Sequence, residues 1–254
     1  MSKLSYVMLI LVLSLMNKAY ALVVGVTAGP HAIIMEEVKK EAIKINLDIK
    51  IVEFNDFILP NAALTSGEID VNSYQHQPFL DEQIKDRGYK IISLAKTIFL
   101  PLGIYSLKHK TLNEIKNGAK ISIPNDPANE GRALLLLEKA NLIKLKSSKH
   151  LNILDITTNY KKINIITMEA PQITRTLLDV DYGITNTDWI LLANIDPKSA
   201  LLTEDQNSIY ANVIAVREKD KSRNDIKQLI TIYHSDYIKN FIIRQFQGTV
   251  QPAW

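Results

Sequence analysis

From Leu22 onward, short apolar runs alternate with helical segments, and that alternation leaves few folds open. Leu22 to Thr27 reads as a strand that ends in the breaker cluster Thr27-Ala28-Gly29-Pro30. Ile34, Val38, Ala42 and Ile45 then recur at helical spacing among charged neighbours. Asp48 to Phe54 reads as a second strand, Asn61 to Ser66 as a short helix stopped by Gly67, and Ile69 to Tyr74 and Tyr89 to Ile98 as further strands. The pattern restarts after Ser106. Strands are expected at 120–124, 164–168 and 181–185, and helices at 130–141, from Pro171 and at 187–193. Ala211 to Arg217 is one more strand, followed by helices over 225–247 that break near Ser235. Strands alternating with helices imply parallel α/β sheets covered on both faces. The expected organisation is two lobes joined by crossing strands: residues 22–105 with 210–254, and residues 106–209.

The first 21 residues read as a removable leader. Lys3 supplies the positive end, Tyr6 to Met16 the apolar core, and Ala19-Tyr20-Ala21 a small-x-small site with cleavage after Ala21. The apolar run is shorter than the roughly 20 residues of a spanning helix. Loss of Lys3 and Lys18 with the leader brings the net charge of +3 close to neutral, and no basic block carries interleaved aromatics. Nucleic-acid binding is therefore not expected. The chain has no cysteine, which excludes disulfides, thiolate metal sites and a cysteine nucleophile, and leaves no lipobox cysteine. A soluble exported periplasmic protein is the expectation.

Open α/β sheets bind ligands beyond the carboxyl ends of their strands. Thr27–Gly29, Asn55–Phe57, Tyr74–His76, Asn125–Asn129 and Thr185–Asn186 all fall at such ends. The turn Asn125-Asp126-Pro127-Ala128-Asn129-Glu130-Gly131 delivers Arg132 to the first turn of a helix, where free N–H groups and the dipole favour an anion. A guanidinium there suits bidentate capture of a carboxylate. His76 lies in the polar cluster 72–79 and is expected to hydrogen-bond a ligand. Its sequence neighbours offer no second histidine at metal spacing, so no metal is expected. Asn186 and Asn212 stand at strand boundaries as amide clamps, with Tyr74, Phe57 and Phe99 as apolar walls. No G-x-S-x-G, H-E-x-x-H or Walker loop is present, so neither catalysis nor a cofactor is expected.

Several segments together carry a resemblance: 25–32 (Gly-Val-Thr-Ala-Gly-Pro-His-Ala), 53–61 (Glu-Phe-Asn-Asp-Phe-Ile-Leu-Pro-Asn), 75–78 (Gln-His-Gln-Pro), 123–137 and the final Pro252-Ala253-Trp254. In collinear order they resemble the NlpA family of methionine-binding lipoproteins, the periplasmic subunits of methionine ABC importers. The resemblance implies a type II periplasmic binding protein with its ligand cleft between two lobes, closing by hinge motion. It implies Arg132 on the α-carboxylate, Asn186 and Asn212 on the amino and carboxylate groups, His76 in the pocket, Asn129 supporting the polar end, and Phe57, Tyr74 and Phe99 around the thioether. Phe57 stands where relatives often carry tyrosine, and Tyr74 where they often carry phenylalanine. The implied function is capture of L-methionine by a monomer for delivery to a membrane ABC permease with its ATPase. D-methionine, a methionine-containing dipeptide or another apolar amino acid are alternative ligands, and a surface interaction protein without a transport role is the alternative of another class.

Overall fold

A computed structural model describes residues 21–205 and 209–254. The leader expected over residues 1–21 lies outside the described residues except for Ala21. The strand Leu22–Thr27 (β1) is apolar and almost wholly buried, as a strand covered on both faces must be. It enters helix Pro30–Ile43 (α1) through Gly29, whose φ of 85° is open to glycine at little cost. The unit repeats as Ile49–Phe54 (β2), Leu59–Ser66 (α2), Val71–His76 (β3), Gln77–Arg87 (α3) and Ile91–Lys96 (β4). Helix α3 is not announced by the sequence pattern, because it is polar and lacks an apolar stripe. Its ends define it instead: the His76 ring accepts the Phe79 N–H at the start, and Gly88 ends it in the left-handed region.

The chain then crosses through Ile98–Phe99 (β5) to Leu102–Tyr105 (β6). The second unit holds Lys120–Pro124 (β7), Pro127–Lys139 (α4), the hairpin Ile143–Leu145 (β8) with Ile156–Asn159 (β9), Asn164–Met168 (β10), Ala170–Thr176 (α5), Tyr182–Asn186 (β11), Thr187–Leu192 (α6) and Leu202–Thr203 (β12). The chain returns as Asn212–Arg217 (β13) and finishes in Asn224–Tyr233 (α7), Asp236–Phe246 (α8) and Gln251–Pro252 (β14). Ser235 caps α8 and marks the break between the last helices.

Two five-stranded sheets result, in the orders β2-β1-β3-β13-β4 and β10-β7-β11-β6-β12. Neither is purely parallel. β13 runs antiparallel to β3 and β4, and β6 antiparallel to β11. Each antiparallel strand is the first one laid down after the chain crosses from the other sheet, so it enters from the opposite direction. Leu102–Tyr105, expected in the first lobe, pairs through β6 with β11 of the second sheet.

The first sheet is packed by α1, α7 and α8 on one face and by α2 and α3 on the other. Ile226, Leu229 and Tyr233 show why α7 docks: at helical spacing they form one stripe, and all three are buried. The second sheet buries Ile121, Ile123 and Ile184 against the leucines of α4. Close to the crossing, β14 pairs with β5, the Ala253 N–H donates to Thr97 O at 2.9 Å, and Trp254 stacks on His234 with ring centroids 4.9 Å apart.

Candidate functional site

The carboxyl ends of β3, β7 and β11 face one narrow cavity between the sheets. The first sheet and its helices supply Phe57, Tyr74, Gln75, His76, Phe79 and Asn212, and the second supplies Asn129, Arg132, Asn186 and Asp188. Leu100 closes the side where the chain crosses. All the expected site residues but Phe99 line this cavity. Phe99 faces a different groove with Pro101, Tyr105 and Thr187. Adjacent residues of an extended chain point to opposite sides, so the inward place belongs to Leu100.

Arg132 is the largest fully buried side chain, at 2% exposure. Helix α4 begins at Pro127, with Asp126 as its cap accepting the Asn129 N–H at 2.9 Å. Arg132 therefore lies in the second turn, not the first, and the helix start is satisfied by Asp126. Its bidentate edge is also occupied: Nε donates to Glu204 Oε1 and Nη2 to Glu204 Oε2, each at 2.5 Å. Nη2 also donates to Leu100 O at 2.9 Å, and the Tyr210 ring lies 4.5 Å from the guanidinium carbon. Only Nη1 is lightly engaged, by one 3.4 Å contact to Asn129 Oδ1. A carboxylate in the cavity would be held end-on through Nη1, in place of the bidentate grip expected.

Asn129 Oδ1 is the hub of the polar end. It takes His76 Nε2 at 3.1 Å and Asn186 Nδ2 at 3.5 Å as well as Arg132. Its own Nδ2 donates to both Asp126 oxygens, at 3.0 and 3.1 Å. Because His76 Nδ1 accepts from Phe79 N, Nε2 must carry the proton. Burial, and then the nearby Arg132 charge, holds the His76 ring down to about 3, so it stays neutral. His76 thus spends both nitrogens on the protein and presents its ring to the cavity. Asn212 Nδ2 meets His31 Nε2 at 3.0 Å and Tyr74 O at 3.4 Å. Asn186 Oδ1 is buried without a hydrogen-bond partner.

The other end is aromatic. The Phe57 centroid is 6.2 Å from Tyr74, 6.0 Å from Phe79 and 5.2 Å from Trp189. The Tyr74 hydroxyl donates to Phe57 O at 2.9 Å, so the hydroxyl braces the wall and leaves the ring as the exposed surface. Phe79, Leu100, Gln75, Asp188, Trp189 and Glu204 belong to the site or its support without having been singled out by sequence. Asp188 and Trp189 lie two and three residues after Asn186, so the strand-end argument reaches them by extension. Glu204 has no local signal, because its partner is 72 positions away.

Residues 22–254 match the NlpA lipoprotein family. A relative from Salmonella typhi named D-methionine-binding lipoprotein MetQ is 42% identical over 237 residues, covering 91% of this chain and 88% of that one. A Burkholderia cenocepacia structure, described as a nutrient binding protein bound to methionine, superposes with a TM-score of 0.90 at 45% identity, covering 92% of this chain and 100% of that one. A Coxiella burnetii ABC transporter, periplasmic substrate-binding protein, superposes at 0.89 with 45% identity, covering 91% of this chain and 100% of that one.

These likenesses correct the expected localisation. A freely soluble protein without a lipid anchor does not fit a family of lipoproteins whose matched relatives carry that name. The chain itself contains no cysteine, and the likeness to lipoproteins rests on residues 22–254.

Proposed function

Because the chain belongs to the NlpA lipoprotein family, we propose that it captures methionine as the substrate-binding component of an ABC importer. The observation that carries this reading is the two-ended cavity. Its polar end is built around Arg132 and Asn129, and its aromatic end is formed by Phe57, Tyr74 and Phe79. Arg132 takes the ligand carboxylate on Nη1, and the Asn186 and Asn212 amides complete the polar end. The thioether lies against the aromatic wall, where sulfur at a ring edge is favoured.

The lobes in this reading are residues 22–101 with 210–254, and residues 102–209, with the first crossing at Leu100–Pro101. The protein acts as a monomer: closure of the lobes buries the ligand, and docking on a permease powered by its ATPase releases it. No chemical step is needed. Native mass spectrometry of the purified protein, followed by calorimetry with L-methionine, D-methionine, leucine and glycyl-methionine, tests the reading. Methionine is expected bound and unchanged. Failure to bind any of these would return the chain to an interaction role.

A further inference from the structure

Among the described residues that line the cavity there is one carboxylate, Asp188, and the reading above gives it no task. Asp188 is 2% exposed and sits in the first turn of α6. Its side chain accepts the Trp189 N–H at 3.0 Å and has no ion pair among the described residues. The nearest cation in the cavity is Arg132, whose charge is already matched by Glu204. Beside Asp188, Asn186 Oδ1 is also buried and unpartnered. The polar end therefore offers two kinds of group: donors at Arg132 Nη1, and two acceptors lacking a strong donor. Buried acceptors in a closed cavity call for a cation that carries N–H groups.

We propose that Asp188, together with Asn186 Oδ1, is the seat of the ligand's α-ammonium group, which makes the site selective for a free amino acid over the same skeleton without its amine. The assignment rests on the amino-acid reading of the cavity. It also explains why a zwitterion suits the site: one end meets Arg132, the other meets Asp188, and the Arg132–Glu204 pair is left intact.

The seat has a proton signature. Burial pushes the Asp188 carboxyl up to about 7, against the weaker opposing pull of Arg132. An ammonium ion in contact favours the ionised form, so binding near neutrality expels a proton. Affinity then rises with pH, by up to about tenfold per unit below that value. The other titratable groups facing this end are Arg132 from α4 and His76 and Tyr74 from β3, with His31 of α1 behind Asn212 and Asp126 beneath Asn129. His76 and His31 are held down to about 3 and Tyr74 is pushed up by burial, so these do not change charge near neutrality. Asp126 is raised by burial but tied to the Asn129 N–H groups, away from the ligand.

The test is calorimetry of the wild type and Asp188→Asn with methionine and with 4-(methylthio)butanoate, which lacks the amine, in phosphate and in Tris near pH 7. The buffer pair reads protons released. The wild type should release protons with methionine and bind the amine-free acid far more weakly. Asp188→Asn keeps the shape of the side chain and should melt no lower than the wild type. It should release no proton, bind methionine roughly 10- to 100-fold more weakly, and show a smaller gap between the two ligands. Wild-type binding of methionine without proton release, with Asp188→Asn binding equally well, overturns the seat while leaving the methionine reading intact. Failure of the wild type to bind methionine overturns both.

Discussion

His76 and Asn129 meet across the cavity, with Nε2 of one 3.1 Å from Oδ1 of the other, although one ends a strand of the first sheet and the other belongs to a helix of the second. The contact is possible only when the lobes are together, so it belongs to the closed arrangement. His76→Phe keeps a ring against Phe79 and Tyr210 but removes both hydrogen bonds. Methionine affinity should fall by about 1–3 kcal/mol, the cost of taking from Asn129 Oδ1 the shortest of its three donors. Calorimetry giving the wild-type affinity would show that the bridge takes no part in closure.

Arg132 and Glu204 form a pair in which the guanidinium is 2% and the carboxylate 11% exposed. Breaking such a pair leaves one charge uncompensated. Glu204→Gln and Arg132→Ala should each lower stability by about 3–5 kcal/mol. Arg132→Lys should fail as a substitute, because a point charge cannot hold Glu204 and Leu100 O together. The double variant Arg132→Met with Glu204→Leu should unfold at higher urea than either single variant while losing methionine binding. If all three unfold alike, the pair is not coupled.

The buried His31 ring, facing Asn212, is held down to about 3 from 6.5 by desolvation. Between those values the unfolded chain carries a proton that the folded chain lacks. Its contribution to stability is therefore complete above 6.5 and is lost as pH falls toward 3. His31→Gln should flatten the acid side of the stability curve by about 1.4 kcal/mol per pH unit. Urea melts across that range measure the slope; an unchanged slope places the titration elsewhere. Asn212→Ala, which empties the other half of the contact, should cripple methionine binding.

The aromatic wall should discriminate sulfur from carbon. Phe57→Leu retains an apolar lining but removes the ring edges near Trp189 and Tyr74. The preference for methionine over norleucine should narrow by about 0.3–1.5 kcal/mol. Competition titrations that give the wild-type ratio would move the thioether away from Phe57.

How much of this was legible in the chain follows from the range of the forces involved. The alternation of strands and helices, and the site residues at strand ends, come from local patterning that any window of residues displays. The antiparallel entry of β6 and β13 is set by which sheet the chain crosses from, which no window records. Helix α3 was hidden because its signals are a histidine cap and Gly88 rather than an apolar stripe. Arg132 lines the cavity, but the helix start alone does not account for its surroundings. The helix dipole was expected to define its environment, whereas Glu204 does, from a distant part of the chain. Phe99 and Leu100 differ by one position, and an extended segment without a known register does not say which of them faces inward.

The first crossing meets the start of β13, where Thr97 N donates to Asn212 O at 2.7 Å, and β14 pairs with β5 beside it. Two adjoining attachments confine relative rotation to the axis they share, much as paired pins confine a door. Twisting is resisted and bending is allowed. The added Gln251–Trp254 segment stiffens that axis at a point remote from the cavity. Torsional stiffness along that axis thus comes from residues that do not line the cavity, so a substitution there would alter the joint between the sheets while leaving the cavity lining unchanged.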